Sequence, residues 1–210
     1  MDGVAIDGMF PDHDDPIPPN QGVGPKLPPD FEPVIAQRRI LIYGVTGSGK
    51  TTMAKWISEM LNIPWEEVDA LMWNPGWEMV PLDEQRRRMT EICARDEWIL
   101  DAAYGKWIDI PLERVQLVIG LDYSRSRTLW QLLKRTISRC VDKKEVCNGN
   151  IETLKGMFSK DSILLWHFKS FDLKRKRMWS WKKGPTDFQV ILFKNNTDLV
   201  IWQAEQVLLT

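Results

Sequence analysis

The stretch IYGVTGSGKTTMAKW, residues 42–56, decides the fold. It places Gly44, Gly47 and Gly49 close together and follows them at once with Lys50 and Thr51. Glycines let a backbone curl until successive N–H groups point into one concavity, which a row of β-carbons would obstruct. The spacing Gly-x-x-x-x-Gly-Lys-Thr over Gly44–Thr51 matches a phosphate-binding loop, provided that a strand precedes it and a helix follows. Both conditions are met by pattern. RRILIYG reads as a buried strand ending at Gly44, and Met53, Ala54, Ile57, Met60 and Leu61 recur at helical spacing. The helix start adds its positive end to the loop. Gly44, Gly47, Ser48, Gly49, Lys50, Thr51 and Thr52 are therefore the expected cradle for ATP. Lys50 reaches the β- and γ-phosphates, and the Thr51 hydroxyl is a ligand for the bridging Mg²⁺.

Outward from this unit, short apolar runs alternate with helical patterns. WEEVDAL predicts a short strand around 65–69, and Leu82, Met89, Ile92 and Cys93 mark one face of a helix over 82–95. EWILDAA predicts a strand ending near Asp101, and QLVIGLD another ending at Asp122. Leu129, Leu132, Leu133, Thr136, Ile137 and Cys140 then trace a long amphipathic helix. FQVILFKN is a fifth strand, with a last helix after Thr197. Strands separated by helices need crossover connections, so the pattern predicts an α/β, three-layer P-loop NTPase fold. It has about five mainly parallel strands and helices on both faces.

Hydrophobic residues at 43% and charged residues at 27% match an ordinary soluble protein. No apolar run approaches the roughly 18–20 residues of a membrane span, so no membrane partner is expected. A net charge of −1 gives no global argument for nucleic acid as a partner. Cys93, Cys140 and Cys147 lack metal-ligand spacing, and the N-terminus lacks a secretory pattern, which points to the reducing cytoplasm. His13 and His167 sit in unlike contexts, and neither is assigned a catalytic role. Residues 1–37 are rich in aspartate and proline and almost devoid of apolar periodicity, which predicts a disordered tail ahead of a 38–210 domain.

In open α/β sheets ligands gather beyond the carboxyl ends of the strands, where Asp69, Asp101 and Asp122 fall. Asp101 is placed to hold the Mg²⁺ through its water shell. Asp69 is placed to accept a proton from an acceptor hydroxyl or to bind it. Asp122 is read either as a site residue or as a cap for the helix that begins near Ser124. DALMWNPGWEMVP sets Trp73 and Trp77 around a turn, where the indoles either stack on a planar acceptor or close over the core. Tyr104, just past the third strand, and Arg125 are grouped with the acceptor. Arg135 and Arg139 stack on one edge of the long helix, with Arg125 close to the same flank. Such a row can clamp phosphates bidentately in a helical lid around 124–183. The run Lys174, Arg175, Lys176 and Arg177 reads as solvated surface.

Taken together, GVTGSGKTTMAKWIS, VDALMWNPGW, EWILDAAYGKWID, LVIGLDYSRSRTLWQLLKRTISR and DSILLWHFKSF resemble the P-loop small kinases of the adenylate-kinase type. They look most like the bacterial adenylate-kinase-like proteins labelled "topology modulation protein". The resemblance spans roughly 38–200 and implies a core sheet, a mobile lid and ATP-dependent phosphoryl transfer. Adenylate kinases carry a Gly-Phe/Tyr-Pro-Arg segment after the third strand, whereas this chain has DAAYGKW. The expected acceptor is accordingly a small molecule, a nucleoside or nucleotide within that class. An alternative is a nucleotide-dependent regulatory ATPase or switch acting through a protein partner. The sequence does not set an oligomeric state.

Overall fold

The structure is a computed structural model and describes residues 33–143, 145–153 and 163–208. Strand β1 (Arg39–Gly44) has no polar alternation, and Ile40, Leu41, Ile42 and Tyr43 are all fully buried. A strand that is apolar on both sides needs helices on both sides, and this one lies at the centre of the sheet. It pairs in parallel with β5 (Trp98–Asp101) and with β6 (Leu117–Leu121). β2 (Trp65–Glu66) flanks β5 and β9 (Gln189–Phe193) flanks β6, giving the order β2-β5-β1-β6-β9, all parallel.

The register carries the functional consequence. Ile42 pairs with Asp101 and Gly44 with Leu121, so the phosphate loop, Asp101 and Asp122 emerge side by side at one edge. Successive side chains point to opposite faces and build two cores. Leu41, Tyr43, Trp98 and Leu100 pack with Met89 of α3 (Leu82–Cys93) and Met178 of α6 (Ile163–Lys183). Ile40, Ile42 and Ile99 pack with Met53 and Ile57 of α1 (Lys50–Leu61) and Trp202 of α7 (Asn196–Val207). This is the three-layer P-loop arrangement that the pattern predicts. The remaining helices, α2 (Val68–Met72), α4 (Asp109–Leu112) and α5 (Arg125–Val141), lie in the connections. α5 starts where Ser124 accepts from the Arg127 N–H, a side-chain cap.

Two small hairpins complete the described chain. β3 (Trp73–Asn74) pairs antiparallel with β4 (Glu78–Met79), and β7 (Glu145–Val146) with β8 (Asn150–Ile151). The expected lid segment 124–183 contains α5, the second hairpin and α6. Residues 144 and 154–162 of it lie outside the described residues.

Two expectations about the fold are corrected. The strand expected over 65–69 stops at Glu66, so Asp69 stands in the first turn of α2 and not at a strand end. Residues 1–32 of the expected tail lie outside the described residues, but its last part is structured: Val34–Ala36 forms a 3₁₀ turn. Val34 is fully buried against Ile40 and its neighbours, and its N–H donates to Gln206 Oε1 at 3.1 Å. An apolar side chain flanked by Pro33 is too short a signal to reveal that anchoring from pattern. Among the described residues, no helix is long and apolar enough to cross a membrane.

Candidate active site

The loop between β1 and α1 has the backbone that its glycines predict. Gly47 and Gly49 take φ of +82° and +93°, where a side chain is strained. Gly47 also lies under α5, since a β-carbon there would stand 2.4 Å from the Thr128 carbonyl oxygen. Ser48 is buried, while Thr52 faces solvent. The loop is thus closed from above by the helix that starts the expected lid.

Lys50 opens α1, and its Nζ donates to the Val45 carbonyl at 3.2 Å. Burial pulls this ammonium below its ordinary pKa, opposed by the carboxylates of Asp69 and Asp101 and reinforced by the Arg135 charge. Those four groups therefore share one electrostatic neighbourhood. Thr51 donates its hydroxyl to Asp101 Oδ2 at 2.6 Å, and the Val68 N–H donates to Asp101 Oδ1 at 3.3 Å. Burial pushes the Asp101 carboxyl up to about 6, against the Thr51 hydrogen bond and the Lys50 charge. The two residues expected to serve a metal are hydrogen-bonded to each other beside Lys50.

On the acceptor side, Tyr104 donates to Asp69 Oδ1 at 2.8 Å, leaving Asp69 Oδ2 without a hydrogen-bond partner among the described residues. The Tyr104 ring stacks on Trp107 at 5.4 Å, and burial raises its hydroxyl pKa with the Asp69 charge adding to the shift. Trp73 and Trp77 meet edge to face at 5.9 Å but differ in depth. Trp73 is half-buried against the core, whereas Trp77 is 42% exposed. The second hairpin docks on this turn. Asn150 Oδ1 accepts from the Trp77 N–H at 2.7 Å, and Asn148 Nδ2 donates to the carbonyls of Ala70 and Trp73 at 2.7 and 2.8 Å.

The expected arginine row separates. Arg135 is half-buried beside Arg139, Glu152 and Asp69, its Nε has no hydrogen-bond partner among the described residues, and burial lowers its pKa. Arg139 is ion-paired with Glu152 at 2.9 Å, next to the second hairpin. Arg125 pairs with Asp172 at 2.6 Å and lies over the Phe171 ring, facing α6 and not the acceptor turn. Asp122 caps no helix: it is buried, accepts from Arg175 Nε at 2.8 Å and Trp179 Nε1 at 2.9 Å, and so fastens β6 to α6.

Arg175 belongs to the run expected to be solvated surface, but packing turns Lys174, Arg175 and Arg177 inward. Lys174 is 7% exposed, and Arg177 Nη1 donates to the Tyr43 hydroxyl at 3.2 Å. His167 is fully buried, with Nδ1 donating to the Thr46 carbonyl at 3.2 Å and Nε2 paired with Thr128 Oγ1 at 3.4 Å. One sequence signal marks this face: His167, Phe171, Lys174, Met178 and Trp181 recur at helical spacing. Asn148 and Asn150, in a loop of short polar residues, carry no such signal.

No family model and no curated protein matches the chain. Solved structures of P-loop kinases do match its fold. The shikimate kinase from Bacteroides thetaiotaomicron aligns with a TM-score of 0.50 at 14% identity, covering 82% of this chain and 98% of the other. The deoxyadenosine kinase from M. mycoides, solved with bound dATP, aligns with a TM-score of 0.50 at 17% identity, covering 81% and 97%. At such identities the likeness is one of fold, and the fold of this chain is that of the P-loop kinases.

Proposed function

We propose that this protein is an ATP- and Mg²⁺-dependent phosphotransferase of the adenylate-kinase-like type. Its acceptor is a small hydroxyl compound, a nucleoside or nucleotide, and it acts in the cytoplasm. The observation that supports this reading is one cluster: Lys50 at the helix start, Thr51 bonded to Asp101, and Asp69 near enough to influence Lys50. A hydroxyl and a carboxylate are the hard oxygen donors that Mg²⁺ prefers, alongside water and phosphate oxygens. When bound, the ion neutralises charge on the β- and γ-phosphates.

The chain's own groups then divide the work. The glycine-rich backbone and Lys50 hold the triphosphate and oppose its developing charge. The acceptor oxygen forms a bond to the γ-phosphorus as the bond to the β,γ-bridging oxygen breaks. Asp69 takes the acceptor proton, with Tyr104 fixing the orientation of its carboxylate by the 2.8 Å hydrogen bond. Trp77 offers an exposed indole to a planar acceptor, and Arg135 stabilises the group in transfer. ADP release from the purified full chain, screened across nucleosides, nucleoside monophosphates and sugars, tests the reading. One acceptor should stimulate turnover in the parent and fail to do so in Lys50→Ala, by about a hundredfold or more. Equal turnover in Lys50→Ala, or stimulation only by a macromolecule, would overturn it.

A further inference from the structure

α6 buries His167, Phe171, Lys174, Met178 and Trp181 along a single stripe that faces the sheet. The groups on either side of Lys174 are anchored at the mouth of the phosphate loop. His167, two turns earlier, donates to Thr46 inside that loop, and Arg177, one turn later, donates to Tyr43 at the end of β1. The intervening position is therefore held over the same mouth.

Lys174 makes no hydrogen bond or ion pair among the described residues. Its Nζ lies 5.9 Å from the Trp166 ring centroid. The charged groups it feels are Lys50 from α1, Asp69 from α2 and Arg177 from its own helix, and His167 feels it in return. A buried ammonium facing another ammonium is unfavourable until an anion joins them. Asp69 is the carboxylate nearby, and it already accepts from Tyr104.

We propose that Lys174 binds the phosphoryl group passing from ATP to the acceptor. The inference rests on the phosphotransfer reading and adds a substrate-contacting cation delivered by α6. Burial, and after it the Lys50 charge, hold Lys174 down at about 7, so above that pH the free protein carries it mostly neutral. An arriving triphosphate favours the ammonium and raises that value. Proton uptake on binding should then be small well below pH about 7 and grow as the pH climbs past it.

The experiment is calorimetric titration of β,γ-imido ATP with Mg²⁺ into the full chain at pH about 8, in buffers of low and high ionisation enthalpy. The parent should take up roughly half a proton to one proton. Lys174→Met should lose that uptake and bind about ten- to a hundredfold more weakly, the range for a contact to a charged group. Lys174→Arg should keep most of the affinity without uptake, because guanidinium stays charged. Methionine fills a buried site without a charge to desolvate, so Lys174→Met should melt no lower than the parent. A parent that binds no nucleotide would sink the phosphotransfer reading and this inference with it. A parent that binds, with Lys174→Met matching it in uptake and affinity, would sink the inference alone.

Discussion

Thr51 donates its hydroxyl to Asp101 across 2.6 Å, tying the first turn of α1 to the end of β5. The bond holds a carboxylate where the sheet buries it. Its pKa rises to about 6 in the folded chain from an ordinary value near 3.8. The folded state therefore binds the proton more tightly than the unfolded chain. The stability that this carboxyl contributes falls as pH rises from about 4 to about 6, by roughly 3 kcal/mol for the whole shift. Asp101→Asn should abolish that dependence. We expect the stability of parent minus variant, from urea titrations, to drop across this window and stay level above it. A difference that does not change with pH would show that the carboxylate is not held against its charge.

A second buried carboxylate is held by an ion pair. Asp122 is buried, with its side chain 1% exposed, and Arg175 is the cation that reaches it. Removing the arginine strands the carboxylate, whose remaining hydrogen bond comes from Trp179. Arg175→Ala should cost about 3 kcal/mol, whereas the double variant Asp122→Asn with Arg175→Met should recover much of it. Equilibrium unfolding of the three proteins checks this. A loss below about 0.5 kcal/mol in Arg175→Ala would return the residue to the solvated surface.

The two hairpin tryptophans separate by depth. Trp77, 42% exposed and at φ +60°, donates Nε1 to the Ile151 carbonyl at 3.3 Å, while Trp73 packs on the core. Trp77→Ala should weaken acceptor binding by roughly 1–3 kcal/mol, the scale of ring stacking, with ATP affinity unchanged. Trp73→Ala should instead lower global stability by about 2–3 kcal/mol, below the cost at a fully buried site. The two readouts are acceptor affinity and unfolding free energy. A reversed pattern would make Trp77 the structural residue.

How much of this was legible in the chain depends on the range of the interactions. The phosphate loop was readable because each of its constraints is local: glycines for the curl, a lysine and threonine at the helix start, an apolar strand before them. Asp101 was readable because a buried strand ends there. Asp69 falls in the first turn of α2 and not on a strand, since VDAL holds too few residues to separate a strand from one helical turn. Lys174, Arg175 and Arg177 were misread because alternating cations suit a wet helix face, and only tertiary packing turns three of them inward. Asp122 followed the same logic in reverse. Its partner lies 53 residues away, so proximity to a helix start was the signal available.

Arg135 and Arg139 are brought together by helical spacing and set apart by their partners. Arg139 already pairs with Glu152, whereas Arg135 Nε is without a hydrogen-bond partner among the described residues and lies close to Lys50 and Asp69. A guanidinium that is half-buried and unpaired is positioned to gain a bidentate contact when a phosphoryl group arrives. Arg135→Ala should lower kcat by about tenfold or more, equivalent to about 1.4 kcal/mol of barrier, with stability within about 0.5 kcal/mol of the parent. Arg135→Lys should recover part of the loss, because an ammonium cannot reproduce the fork. Arg139→Ala acts by another route. It leaves Glu152, 11% exposed, without its cation, so stability falls and any effect on kcat comes through the second hairpin. Glu152→Gln combined with Arg139→Ala should then restore stability. The measurements are kcat on the identified acceptor and urea midpoints for the parent and the four variants. Equal losses of kcat in Arg135→Ala and Arg139→Ala, with stability intact in both, would mean that the ion pair opens during turnover and that both arginines reach the phosphoryl group.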